Sequence, residues 1–406
     1  MDIIRDPLWN NIRVDARALR LVDTPAFQRL RYVRQLGWAW LVYPGATHAR
    51  FEHALGAYHL AGVAIQRLDE EGALTAIPPL ERTIVRLAAL LHDLGHYPFS
   101  HALEEIGAPH HEDVARPLLT GGPVGAILGE LAPDAAERVF ALIRGESTSP
   151  LQGLISGSLD LDKIEYLKRD ALMCGVPYGE IDVDRLINAM TLATDPTTGR
   201  ASIAVREKGL SALESLLFAK YQMYRNVYWH HAVRSATAMY KRLVEEAIAA
   251  GALAVSELAG FTDEALLHTL EVRAPSPLLT ALRHRRLYKR AFEAPAAELP
   301  DEFAEWVASD RHRVVAAERA LAEHLGLAHG ELLLDFPEKT QMLGLDMPVV
   351  RRDGSVERLT TSGIAGVINL PVLADQLYRS ARWLRVFVAR PVRVERAWLL
   401  RALEAG

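Results

Sequence analysis

The sequence predicts a mainly α-helical protein with a small α+β lobe at its C-terminus. Two observations predict the helical part. Apolar residues recur at helical spacing through most of the first 290 residues, and the breaks between those stretches carry cap and turn residues. A third observation predicts the lobe: beyond about residue 300, short runs with strand character replace the helical period.

Taken in order, Asp23-Thr-Pro25 opens a first helix, because Asp or Thr can cap and Pro fits the first turn, and Phe27, Leu30 and Val33 follow at helical spacing. After the turn at Tyr43-Pro-Gly45, residues 51–68 place Leu55, Leu60, Val63 and Ile65 in an Ala- and His-rich helix expected to be mostly buried. Residues 80–92 carry Leu80, Ile84, Leu87, Ala88 and Leu91 on one stripe and stop at Gly95, so His92 and Asp93 fall near a helix end. Residues 112–145, 159–173, 183–191 and 207–250 also read as helical. Strands are expected at 331–336, at 347–359 with a hairpin turn on Asp353-Gly354, and at 383–390. A chain of 406 residues is too long for one ordinary core, and the change of character divides it into a core over 1–290 and a lobe over 291–406.

Composition limits the function classes. Half the residues are hydrophobic and 24% charged, the balance of a folded globular protein. A net charge of -5 gives no overall attraction to a phosphate backbone, so nucleic-acid binding would need a local patch. The basic run Arg283–Arg290, with Tyr288 for stacking, is the one candidate, and a solvated helix face or subunit contact explains it better. The first seven residues carry charges where a signal peptide needs an apolar core, and no membrane-length apolar run occurs, so a cytoplasmic protein is expected. The single cysteine, Cys174, reads as a free buried thiol. Any metal must therefore be held by His and carboxylates.

Histidine is concentrated: eight of the 15 lie between His48 and His111, where an even spread would put about two or three. With the adjacent His92-Asp93 pair, this points to a metal site. Two imidazoles and two carboxylates form a mixed N/O set that suits iron, manganese, magnesium, nickel or cobalt, and leaves positions in an octahedral shell for water and a phosphate oxygen. The fourth ligand is sought in residues 158–170, where Asp162, Lys163, Tyr166 and Asp170 make one strip of helix surface, the alternative being a solvated charged face.

These residues belong to seven ordered motifs: Asp23-Thr-Pro-Ala-Phe-Gln-Arg-Leu-Arg-Tyr32, Gln35-Leu-Gly37, the run from Tyr43 to His53, the run from His92 to His101, His111-Glu112, Leu161-Asp-Lys163 through Asp170, and Tyr228-Trp-His230. In this order they resemble the HD-domain deoxynucleotide triphosphohydrolases. The resemblance implies an HD-superfamily helical core with metal ligands His53, His92, Asp93 and Asp162, and leaves His48 outside the set. It implies that His101 assists departure of the 5′ oxygen with Glu104 controlling its protonation, and that His96 and His111 form a polar wall near the α-phosphate. Arg50, Lys163 and Lys220 would clamp the triphosphate and Tyr166 would position it. Gln35 and Asp170 would contact the sugar 3′-hydroxyl, with Leu36 and Tyr228 packed where a ribose 2′-hydroxyl would go. The implied reaction is dNTP plus water giving a deoxynucleoside and triphosphate.

By the same resemblance Asp23, Gln28 and Arg31 match guanine-reading positions of an activating-nucleotide site, while Arg206 and Lys208 match phosphate-binding ones, and a homo-oligomer is implied. Asp2 stands where relatives carry a basic residue, and His231 replaces a lysine beside the active site. Without an activator, Asp23 could cap a helix and Arg31 pair with a carboxylate. Two rival readings share the motifs: another HD phosphohydrolase acting on a nucleoside monophosphate, cyclic nucleotide or guanosine polyphosphate, and a non-catalytic nucleotide sensor or nucleic-acid-binding module.

Overall fold

The computed structural model describes residues 2–338, 346–359 and 369–405. The chain opens with a hairpin that the sequence reading did not predict, β1 (Asp2–Asp6) against β2 (Asn10–Val14). Its turn is made by Asp6, whose Oδ1 accepts the backbone N–H groups of Leu8 and Trp9 at 2.8 Å each, and by Asn10 at φ 60°. Helix Ala16–Val22 follows, capped by Asp15, and Asp23 ends it. Thr24, not Asp23, occupies the cap position of the next helix, Pro25–Gln28, and makes no side-chain cap hydrogen bond there.

Three helices form the scaffold. Arg50–Glu70 is rich in Ala, Leu and Gly and is buried on most sides. Pro79–Leu91 starts on a proline suited to the first turn and turns Ile84, Val85, Leu87 and Leu91 inward. Leu161–Cys174 is capped by Asp160, which accepts the Lys163 N–H at 2.9 Å, and is stopped by Gly175 at φ 68°. The first of them packs against both of the others, in a core that includes Tyr58, Leu87, Ile164 and Leu167.

Elsewhere the expected helices are shorter than read. Residues 112–145 form His111–Thr120, Gly122–Gly129 and Ala135–Ile143, because Gly121-Gly122 and Ala132-Pro133 break the run. Residues 207–250 split at a π-helical turn, Tyr224–Tyr228, into Leu210–Met223 and His231–Ala249. The helix expected over 183–191 stops at Ala189 and continues as β3 (Met190–Thr194), which pairs antiparallel with β4 (Ala201–Arg206).

The strands expected at 331–336, 347–359 and 383–390 form where the sequence places them, and one more, at Lys289–Pro295, was not expected. Strand β5 (Lys289–Pro295) and β6 (Leu332–Asp335) flank β9 (Trp383–Val388), antiparallel to both. The Asp353-Gly354 hairpin is β7 (Met347–Val350) against β8 (Val356–Leu359), and β7 runs parallel to β4, with Val349 opposite Val205. No helix among the described residues is long and apolar enough to cross a membrane.

A buried ionic network ties β6 to the helical core. Arg234 donates to Glu105 at 3.0 Å from each terminal nitrogen and to Asp335 at 2.6 Å, and Lys241 donates to Glu105 at 2.8 Å. Burial opposes ionisation of Glu105, but Arg234 and Lys241 outweigh it and hold the carboxyl far below its ordinary 4.5. A pKa depressed in the folded state adds stability above the unfolded value and loses it as pH falls. The melting temperature is therefore expected to drop as pH is lowered through about 4.5 and below. Equal melting temperatures at pH 3.5 and pH 7 would contradict this.

Candidate active site

His53 lies in the first turn of Arg50–Glu70, His92 and Asp93 at the end of Pro79–Leu91, and Asp162 in the first turn of Leu161–Cys174. Packing of the three helices brings the four side chains to one point. His53 Nε2 stands 3.1 Å from His92 Nε2, 2.9 Å from Asp162 Oδ1 and 3.6 Å from Asp93 Oδ2. His92 Nε2 stands 3.4 Å from Asp93 Oδ1 and 3.5 Å from Asp162 Oδ1. Adjacent ligands bound about 2.0–2.2 Å from an ion stand roughly 3.0–3.5 Å apart, so this donor set fits a divalent cation.

The tautomers agree with that fit. His92 Nδ1 faces the Ala89 carbonyl at 2.9 Å and His53 Nδ1 faces Glu165 Oε2 at 2.5 Å, so both Nδ1 atoms donate and both Nε2 lone pairs point at the common centre. The electrostatics also favour positive charge there. Burial works against a charged His53, yet Asp162 and Glu165 push it up to about 10, so a proton held on Nε2 would have to leave for an ion to bind there, and Asp162, despite its own burial, is held well below the carboxylate range by the two histidines.

Behind His53 lies a set of residues that the sequence reading did not single out. Glu165 Oε1 accepts from Trp9 Nε1 at 3.0 Å and Arg169 Nε at 2.7 Å, and Arg169 donates on to Asp6 at 3.0 Å. Gly56 makes room for it: a Cβ there would lie 2.0 Å from Glu165 Oε1.

A cavity of about 240 Å³ opens on the cluster. Among the predicted residues, His92, Asp93 and Asp162 line it together with Gln35, Arg50, His96, His101, His111, Lys163 and Tyr166. Glu104 bridges two of its imidazoles, at 3.2 Å from His101 Nδ1 and 2.8 Å from His111 Nδ1. Burial raises the Glu104 pKa, but those two hydrogen bonds dominate and hold it far below the carboxylate range. His96 stacks on His111 with ring centroids 3.7 Å apart. Arg50 donates to Asp93 at 2.6 Å, and the Lys163 ammonium pairs with Asp160 and donates to the Gly157 carbonyl at 2.9 Å.

The other predicted residues lie elsewhere. Leu36, Asp170, Lys220 and Tyr228 are not on the cavity wall. Asp170 is 1% exposed, and its two oxygens are engaged by His48 at 2.8 Å and by the Tyr228 hydroxyl at 2.7 Å. Lys220 is buried, and burial with the nearby Lys163 charge pushes it down to about 8. Arg31 bonds to Gln28 at 2.8 Å and stacks on Phe51 instead of meeting a carboxylate. Arg206 pairs with Glu71 at 2.7 Å, Lys208 is exposed, and among the described residues no contact joins this pair to Asp23, Gln28 and Arg31. His231 lines a separate cavity with Arg285, Leu287, Lys289 and Arg290. The basic run is not one helix face, since Arg283 ends a helix and Lys289 begins β5. Cys174 is half-buried and free, and burial raises its pKa.

A helical scaffold that directs two imidazole nitrogens and two carboxylates to one point beside a cation-lined cavity is the arrangement of a metal-binding hydrolase. Comparison with known proteins gives the family: residues 50–160 match the HD domain and residues 181–368 the HD associated region, and the chain belongs to the HD-domain phosphohydrolases. It is 34% identical to an uncharacterized protein of Methanocaldococcus jannaschii over 80% of this chain and 67% of that one. It is 32% identical to the deoxynucleoside triphosphate triphosphohydrolase SAMHD1 homolog of Dictyostelium discoideum over 57% of this chain and 47% of the relative. Identity to Homo sapiens SAMHD1 is 28% over 57% of this chain and 42% of the relative, so the chain spans about half the length of these two. Among solved structures, a hypothetical protein from Aquifex aeolicus shares the fold at TM-score 0.73 and 27% identity, covering 100% of this chain and 99% of its own. A Bacteroides thetaiotaomicron phosphohydrolase shares it at TM-score 0.75 and 23% identity, covering 96% of this chain and 100% of its own.

Proposed function

We propose that the protein is a metal-dependent dNTP triphosphohydrolase that releases a deoxynucleoside and intact triphosphate. The observation that carries the reading is one cavity lined by His92, Asp93 and Asp162, which meet His53 behind the wall, by His101 and His111, which Glu104 joins from behind, and by the cations Arg50 and Lys163. The similarity to triphosphohydrolases named for deoxynucleoside triphosphates supports the substrate class.

The four cluster residues would hold iron, manganese, magnesium, nickel or cobalt. Such an ion, when bound, supplies water activation and offsets charge on the reacting phosphate. Arg50 and Lys163 fix the phosphate chain, with Lys220 behind them and Tyr166 alongside. His101 gives a proton to the departing 5′ oxygen, and the Glu104 anion, ionised throughout the working range, orients the imidazole by its contact with Nδ1 at 3.2 Å. His96 and His111 face the α-phosphate. Gln35 meets the sugar 3′-hydroxyl, while Asp170, held by His48 and Tyr228, and Leu36 and Tyr228, assigned to exclusion of a 2′-hydroxyl, would act from behind the cavity wall. We assign this chemistry to residues 1–290, in the cytoplasm, in a homo-oligomer. Activation by a second nucleotide at Asp23, Gln28, Arg31, Arg206 and Lys208 would then need two copies of the chain, since one copy leaves these groups apart.

The test is incubation of the protein with each dNTP and rNTP, singly and mixed, with manganese, magnesium or iron, and chromatography of the products. Deoxynucleoside with triphosphate supports the reading; orthophosphate with a nucleoside diphosphate refutes it. Within the same assay, Glu104→Gln removes the anion behind His101. With the imidazole no longer held by a carboxylate, kcat is expected to fall roughly tenfold with KM little changed. An unchanged kcat would remove Glu104 from this role.

A further inference from the structure

The segment that delivers His101 passes through two successive left-handed residues that are not glycine, Phe99 at φ 58° and Ser100 at φ 65°. Such a conformation persists only where the surroundings impose it. Trp38 stacks face to face on Phe99, with centroids 4.1 Å apart. Gly37 lies so close behind that a Cβ would sit 2.9 Å from the Phe99 carbonyl oxygen. Ser100 Oγ lies 2.8 Å from the carbonyl oxygens of both Arg34 and Gln35.

The remaining restraint comes from far along the chain. Asp263, the first residue of helix Asp263–Arg273, is 2% exposed. Its Oδ1 accepts the Phe99 N–H at 2.9 Å, and its Oδ2 accepts the Arg34 N–H at 3.1 Å, with the Arg34 guanidinium 3.6 Å away. The helix does not need this carboxylate as its cap, because Thr262 serves, accepting the Ala265 N–H at 3.4 Å. Burial pushes Asp263 up to about 6, so keeping it ionised works against the fold. A buried anion held at such a cost, on two backbone amides of two different segments, calls for a reason beyond helix formation.

We infer that Asp263 is a positioning residue of the active site. Through the amides of Phe99 and Arg34 one carboxylate fixes His101, two residues beyond Phe99, against Gln35, next to Arg34. The acid end and the sugar end of the cavity are thereby set at one spacing by a residue of the HD associated region. The inference rests on the reaction proposed above.

Asp263→Asn keeps the shape but turns an NH2 group toward one of the two amides, so one hydrogen bond is lost. Single-turnover hydrolysis of a dNTP is expected to fall about 10- to 100-fold, with manganese affinity unchanged. The decisive substrate is a dNTP whose 5′ oxygen is replaced by sulfur, because a thiolate departs without a proton. On it, Asp263→Asn is expected to run within about threefold of the unaltered protein, and His101→Ala is expected to recover as well. An equal loss on both substrates overturns the inference, since a merely structural defect would not depend on the leaving group. Asp263→Glu, which keeps both acceptors on a longer arm, must lie closer to the unaltered protein than Asp263→Asn does. If it lies lower, the inference also fails. Absence of dNTP turnover by the unaltered protein would instead overturn the proposed reaction, and the inference with it.

Discussion

His92→Ala is expected to abolish turnover, lowering kcat by at least about 10⁴-fold, while leaving the fold intact. The two effects separate because of where His92 sits. Its Nε2 faces the cluster, whereas the rest of the ring makes one hydrogen bond, to the Ala89 carbonyl at 2.9 Å, and stands at a helix end with the side chain 13% exposed. Alanine there removes a donor and the ring that packs on His53, with centroids 5.1 Å apart, without stranding a buried charge. Asp93→Ala would be less clean. Asp93 is the partner of Arg50, itself 3% exposed, and stranding that guanidinium in the interior would cost about 3–5 kcal/mol. His92→Ala with normal metal binding and normal turnover would remove the cluster from the mechanism. Metal titration and circular dichroism on the same sample decide between loss of the site and loss of the fold.

Gly56→Ala is expected to have the second largest effect, although it touches no proposed ligand. The new Cβ would lie 2.0 Å from Glu165 Oε1, 2.6 Å from Cδ and 2.8 Å from Cγ. Glu165 has nowhere to retreat, since Oε2 is bonded to His53 and Oε1 is shared by Trp9 and Arg169. Displacing it strains a buried ionic network and frees His53 to rotate. The expected cost is about 3–5 kcal/mol of stability, by analogy with breaking a buried pair. Metal affinity should fall roughly 10- to 100-fold, as when the group orienting a histidine ligand is lost. Glu165→Gln, which adds no bulk, should reproduce much of the affinity loss with a smaller stability change. An unchanged melting temperature and unchanged metal affinity in Gly56→Ala would show that the network behind His53 does not orient it.

These two cases mark what was legible in the sequence. Concentration of histidine and the 3.6-residue period were enough to point to a metal site and to put His92 and Asp93 near a helix end, because both signals are local, whereas His53 was singled out among the histidines only by the family resemblance. Residues 158–170 were harder to divide. The strip read as one surface splits in two, with Asp162, Lys163 and Tyr166 on the cavity and Asp170 held by His48 and Tyr228, while Glu165 and Arg169, which the strip left out, are buried behind His53. It is not a solvated face, yet nothing in the spacing tells which charged residue meets a partner more than a hundred positions away. Gly56 had the same difficulty, since a glycine in an Ala-rich helix carries no mark of the carboxylate it admits.

The strands that were missed had weaker signals. In the first hairpin Asp6-Pro7 interrupts the alternation, although an Asp before Pro with Asn10 beyond is itself a turn signal. Strands β3 and β4 are five and six residues long, and β3 follows a helix without a break, so helical period runs into strand with only Met190 at the join. The division of 207–250 at Tyr224–Tyr228 depends on tertiary contacts, including the Tyr43 hydroxyl on the Asn226 carbonyl at 2.6 Å.

The most direct test of the account is a single-turnover reaction of one dNTP in water enriched in oxygen-18, with manganese present and the products resolved by mass spectrometry. Attack at the α-phosphorus puts one heavy oxygen in the released triphosphate and none in the deoxynucleoside. Label in orthophosphate, in a nucleoside diphosphate or in the 5′-hydroxyl would contradict it.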